Sequence, residues 1–80
     1  MKLELYHFES CPYCVKVRNY IDRAGIRSKI TYYDTRKDSD AEDRLMKMNG
    51  DDQVPCLVID GKPMLESDDI IEWLKGNVKP

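Results

Sequence analysis

Glu4-Leu5-Tyr6-His7-Phe8-Glu9-Ser10-Cys11-Pro12-Tyr13-Cys14-Val15-Lys16-Val17 is the stretch that decides the fold. Its first half belongs to a strand predicted over residues 2–8, with Leu3 and Leu5 on one face and Tyr6 and Phe8 on the other. Its second half opens a helix predicted from Pro12 to about Ala24, because proline suits the first helical position, where its missing N–H would have had no partner. Cys14, Val17, Ile21 and Ala24 then recur at helical spacing as the buried stripe. Lys16, Asp22 and Arg23 take the wet side, and Gly25 ends the helix. Two cysteines therefore stand where a strand hands over to a helix.

The remaining chain alternates in the same way. Lys29 to Asp34 includes Ile30, Thr31, Tyr32 and Tyr33, which suit a pleated, half-buried strand. Ser39, with Glu42 three residues on, reads as the N-cap of a second helix that turns Ala41, Leu45 and Met48 inward and ends near Asn49-Gly50. Cys56–Ile59 and Lys62–Leu65 flank Asp60-Gly61 as a hairpin. Ser67 reads as the cap of a last helix, with Asp68 and Asp69 in its first turn and Ile70, Ile71 and Leu74 inward. The order β-α-β-α-β-β-α predicts an α/β protein with a four-stranded mixed sheet flanked by three helices, a minimal thioredoxin-like fold. There is no linker or repeat, so residues 1–80 read as a single domain.

Composition narrows the function classes. With 41% hydrophobic and 35% charged residues the chain reads as soluble and globular. Thirteen basic residues against fifteen acidic ones, with no basic run, leave no electrostatic footprint for nucleic acid. Met1-Lys2-Leu3-Glu4-Leu5 alternates charged and apolar residues, unlike an export signal, and no apolar run approaches the roughly 20 residues that cross a bilayer. A cytoplasmic monomer that touches neither nucleic acid nor membrane is expected. Three cysteines cannot all pair, and without an export signal closely spaced cysteines are more often catalytic or metal-binding than structural.

Two cysteines three apart at a helix start can close a small disulfide ring. Cys11 at the N-cap would face free backbone N–H groups and the positive end of the helix dipole, which favour thiolate, and is expected to be the nucleophile. Cys14, one turn inside on the apolar stripe, is placed to attack a mixed disulfide on Cys11 from behind. Zinc would need four ligands, and only Cys56 and His7, each in a strand, are available beside this pair, so no metal is expected.

At Cys11-Pro12-Tyr13-Cys14 the chain resembles the dithiol glutaredoxins, which carry this tetrad, and the likeness continues at Val54-Pro55 and Ser67-Asp68-Asp69 in the family's order. The resemblance implies a glutathione-dependent thiol–disulfide oxidoreductase, with glutathione as co-substrate and no permanently bound cofactor. Its partners would be disulfide-containing or glutathionylated client proteins. It also implies that Val54-Pro55 is a cis-proline loop whose Val54 main chain pairs with the cysteinyl part of glutathione. Ser67 and Asp68 would hold the γ-glutamyl end, although as residues alone they equally suit an ordinary capped helix start. Tyr13 would pack against the tripeptide, and Gln53, Arg36 or Lys37 could meet its glycyl carboxylate.

The chain also departs from that pattern. His7-Phe8-Glu9-Ser10 replaces a basic residue common shortly before the nucleophile, and Glu9 would oppose the Cys11 thiolate if turned inward. Leu65-Glu66 replaces a Gly-Gly pair, and Leu65-Glu66-Ser67 looks more like the glutathione site of glutathione transferase N-terminal domains, so Glu66 joins the candidate binding residues. Eighty residues leave no room for the helical domain of a complete transferase, which is not expected. Two alternatives stay open: a redoxin reduced by thioredoxin reductase, and a module holding an iron–sulfur cluster with glutathione. Cys56, directly after Pro55, reads as a small core residue.

Overall fold

The computed structural model describes residues 1–80. Its elements are β1 (Leu3–His7), α1 (Pro12–Ala24), β2 (Thr31–Asp34), α2 (Ser39–Asn49), β3 (Cys56–Ile59), β4 (Lys62–Met64) and α3 (Ser67–Asn77), with one 3₁₀ turn over Arg27–Lys29. The sheet runs β2-β1-β3-β4. β1 and β2, joined through α1, pair in parallel, while β3 runs antiparallel to both β1 and β4. This is the α/β order read from the sequence: a mixed four-stranded sheet with three helices.

Alternation along β1 and β3 divides the core into two layers. Leu3, Leu5 and Leu57 face α1 and α3, where they join Val17, Ile21, Ile70 and Leu74. Tyr6, Cys56 and Val58 face α2, against Ala41 and Leu45. His7 follows the period of Leu3 and Leu5, and its ring meets Tyr32, which packs against the first layer, edge-on at 5.1 Å. Gly25, at φ 72°, accepts the left-handed turn that ends α1.

Six local expectations are corrected. The N-cap of α2 is Asp38, not Ser39, because its carboxylate accepts the N–H groups of both Asp40 and Ala41. The N-cap of α3 is Glu66, not Ser67, so Ser67 moves into the first helical turn. Met48 is exposed rather than inward. β2 starts at Thr31, not Lys29, because Arg27–Lys29 form a 3₁₀ turn whose Arg27 side chain donates to the Ile30 carbonyl at 2.9 Å. Ile71 is half-buried beside the core, as is Ala24, rather than fully inside it.

Replacing Leu57 by Ala, in the centre of the first layer, should lower the unfolding free energy by about 2–5 kcal/mol. Met48→Ala should change it by less than about 0.5 kcal/mol. Urea denaturation checks both, and equal losses would contradict the two-layer packing.

Candidate active site

Both cysteines stand at the β1–α1 junction. Cys11 is the N-cap of α1, with extended backbone (φ −75°, ψ 116°), and its Sγ accepts the Cys14 N–H at 3.3 Å. The sulfur thus occupies the place where a serine or aspartate oxygen usually caps a helix. The Cys11 N–H in turn donates to the Phe8 carbonyl at 3.3 Å. Cys11 is 6% exposed and Cys14 fully buried. Burial, seconded by the hydrogen bond with Cys11, pushes the Cys14 thiol up to about 12, while a main-chain hydrogen bond from Phe8 works in the opposite direction.

Arg18, one helical turn beyond Cys14, locks this junction. Its guanidinium donates to His7 Nδ1 at 2.8 Å, to the Phe8 carbonyl at 3.2 Å and to the Glu9 carbonyl at 3.1 Å. Burial first, and then the Arg18 charge, lower the His7 pKa below 6.5, which keeps the ring neutral. Accepting at Nδ1 leaves its proton on Nε2. Neither residue was singled out in the sequence as part of the site. The available signal was their spacing: Arg18 is four residues from Cys14 on the helix, and His7 lies in the period of Leu3 and Leu5.

A cleft of about 640 Å³ lies beside the first turn of α1, lined by Tyr13, Gln53, Val54, Pro55, Glu66, Ser67, Asp68 and Asp69. Seven of the nine residues proposed from sequence to contact glutathione are therefore brought to one concavity, and Asp69 joins them. The volume is within the range of small-ligand sites. The Val54–Pro55 peptide bond is cis. Val54 lies outside the strands, and neither its N–H nor its carbonyl takes part in the main-chain hydrogen bonding of the fold. Glu66 holds φ 73°, a conformation rare for residues other than glycine and frequent at ligand sites, and its carboxylate accepts from the Gln53 amide at 3.4 Å. Asp68 is paired with Lys16 across the α1–α3 contact.

The other candidates lie elsewhere. Arg36 covers the Phe8 ring at 3.7 Å, and Lys37 pairs with Glu9 at 3.3 Å, so neither reaches the cleft, and the Glu9 carboxylate is turned toward Lys37. Cys56 sits on the α2 face of the sheet, whereas Cys14 lies on the α1 stripe with Val17 and Ile21. The sheet separates them, and burial pushes the Cys56 thiol up to about 11. His7 and Cys56 face opposite sides, and no three metal-ligating side chains converge.

Alkylation with iodoacetamide should modify Cys11 first. Cys14 and Cys56, held as buried thiols until pH approaches their raised values, should stay unmodified in the folded chain at pH 8 and react together with Cys11 only in denaturant. Mass spectrometry of digested samples reads the order. Early modification of Cys56 would contradict the site.

Comparison with known proteins accords with this geometry. The family model for the glutathione S-transferase N-terminal domain matches residues 5–80. A glutaredoxin from Ricinus communis is 36% identical over 53 residues, which are 65% of this chain and 52% of that protein, so the match spans about half of the relative. The thioredoxin-like protein BC3987 superposes with a TM-score of 0.76 at 29% identity, covering 94% of this chain and 97% of that one. Glutaredoxin 2 from Salmonella typhimurium, solved in complex with glutathione, also gives a TM-score of 0.76 at 29% identity, over 98% of this chain and 35% of the other. The chain belongs to the glutathione S-transferase N-terminal domain family and is a glutaredoxin-like protein of the thioredoxin fold.

Proposed function

We propose that this chain is a glutathione-dependent thiol–disulfide oxidoreductase working through Cys11 and Cys14. The observation that carries the reading is the Cys11 sulfur capping α1 directly above a buried Cys14 thiol, beside a cleft with free Val54 main-chain groups. Cys11 thiolate attacks one sulfur of a client disulfide, forming a mixed disulfide and releasing the first client sulfur as a thiolate that takes a proton. Cys14, giving up its proton, attacks Cys11 Sγ and releases the second client thiol. Two electrons have then passed from the dithiol to the client, leaving a Cys11–Cys14 disulfide. Two molecules of glutathione return the dithiol and leave as glutathione disulfide.

The chain's own groups supply the rest. The Cys14 N–H that caps Cys11 Sγ stabilises charge on that sulfur when it is the attacking or leaving thiolate. The high pKa of Cys14 keeps it protonated until Cys11 is engaged, which limits premature reaction at the buried sulfur. Ser67 and the first-turn N–H groups of α3 suit the γ-glutamyl carboxylate, Asp68 its ammonium, Val54 the cysteinyl main chain, and Tyr13 the face of the tripeptide. Glu66 and Gln53, already joined, offer a second polar pair at the same end. Such a dithiol works in a reducing compartment, in keeping with the cytoplasmic expectation.

Reduction of a glutathione mixed disulfide, with glutathione and its reductase compared against thioredoxin reductase as electron source, tests the reading. Turnover with glutathione is expected. Cys11→Ser should lower it more than about a thousandfold, whereas Cys14→Ser should keep it and lose reduction of protein disulfides. Turnover only with thioredoxin reductase would transfer the chain to the redoxin reading, and activity surviving in Cys11→Ser would overturn the mechanism.

A further inference from the structure

The cleft carries more negative charge than the single ammonium of glutathione requires. Glu66, Asp68 and Asp69 bring three carboxylates to its lining, and no lysine, arginine or histidine lines it. The cations nearby in sequence are committed elsewhere: Lys37 to Glu9, Arg36 to the Phe8 ring, and Arg18 to His7 and the junction carbonyls. Lys16 reaches Asp68 and pairs with it, which leaves Glu66 and Asp69 with no basic partner.

A group of acidic side chains is by itself a solvated surface, but two further features of this cleft point to a ligand. Ser67 is only 8% exposed, lines the cleft, and its hydroxyl has no hydrogen-bond partner within the chain. Val54 presents unpaired main-chain groups in the same wall. An extended segment paired along Val54 rises roughly 3.3 Å per residue and turns alternate side chains to one side. A residue one or two positions from its cysteine can then reach the α3 end of the cleft.

We infer that the clients of this protein are disulfides in basic surroundings: extended segments with lysine or arginine within two residues of the cysteine, whose cations meet Glu66 and Asp69. The inference rests on the oxidoreductase reading above and names the substrate class of that site. Clefts lined by one sign of charge raise the association of oppositely charged partners about 10- to 1,000-fold, with steep dependence on ionic strength. Glutathione, with a net negative charge, would gain nothing from this field, so it acts as the reductant at high concentration while the field selects the client.

The test uses single turnover, so that glutathione takes no part. Three otherwise identical peptides, each with one cysteine in a mixed disulfide with 2-mercaptoethanol, carry two lysines, two alanines or two glutamates beside it. Fully reduced protein is mixed with each, quenched, and its remaining thiols counted by alkylation and mass spectrometry. In about 20 mM salt the lysine peptide should react at least about tenfold faster than the glutamate peptide, with alanine between, and the spread should collapse toward unity in about 0.5 M salt. The pair Glu66→Gln with Asp69→Asn should reduce the lysine-to-glutamate ratio at least about threefold, whereas Glu42→Gln with Asp43→Asn, the same charge change on α2, should leave it within about 1.5-fold. Equal rates for the three peptides, or a ratio that falls equally in both variants, would overturn the inference while leaving the oxidoreductase reading intact. No reaction with any of the three would overturn both.

Discussion

The structure hangs on one weak hydrogen bond, from the Cys14 N–H to the Cys11 sulfur at 3.3 Å. A helix must satisfy its first N–H groups, and this chain does so with the atom proposed to carry its chemistry. Capping and reactivity are therefore one requirement. Pro12 contributes by removing an N–H that would otherwise need a partner, and by fixing φ where the helix begins. The consequence reaches into the core, since the helix start fixes which face of α1 turns inward and so places Cys14 beneath Cys11.

What keeps the cap in place is a second layer of polar contacts rather than the thin apolar core. The Phe8 carbonyl accepts from both Cys11 and Arg18, so the strand end, the helix start and the loop between them share one acceptor. Neutral His7 completes the arrangement, because an imidazolium would leave Nδ1 with nothing to offer Arg18. A loop whose carbonyls were free would let the Cys11 sulfur wander, and geometric looseness of about 1 Å is costly for a reacting pair. The cis Val54–Pro55 peptide and the left-handed Glu66 lie on the far side of the cleft, where backbone geometry, more than side-chain size, shapes the surface.

Much of this was legible in the sequence because its signals are periodic or local. Alternation predicted over residues 2–8, the helical stripe of Cys14, Val17 and Ile21, and the Asp60-Gly61 turn each depend on neighbours within one turn or one strand, and their elements appear within one residue of the expected bounds, β1 ending at His7 with Phe8 outside it. The capping errors have a common origin. Asp38-Ser39 and Glu66-Ser67 each place two polar residues side by side at a helix start, and spacing alone does not say which takes the cap. At α3 the outcome matters, since with Glu66 as N-cap the Ser67 hydroxyl is left free in the cleft. Most residues that converge on the cleft are legible from motif resemblance, whereas the roles of Asp69 in the cleft lining and of Arg18 and His7 at the junction depend on contacts between elements that spacing does not reveal. The separation of Cys56 from Cys14 likewise follows from the pleat of β3 and the register Tyr6↔Cys56.

The central claim is that the two cysteines at the helix start form the redox pair and the third stands apart. Titrating the reduced protein with glutathione disulfide and mapping its disulfides by digestion and mass spectrometry tests this most directly. The account predicts a Cys11–Cys14 disulfide, with any glutathione adduct on Cys11 and Cys56 recovered as a free thiol. Glutathione on Cys14, or a disulfide containing Cys56 in the folded chain, would contradict it.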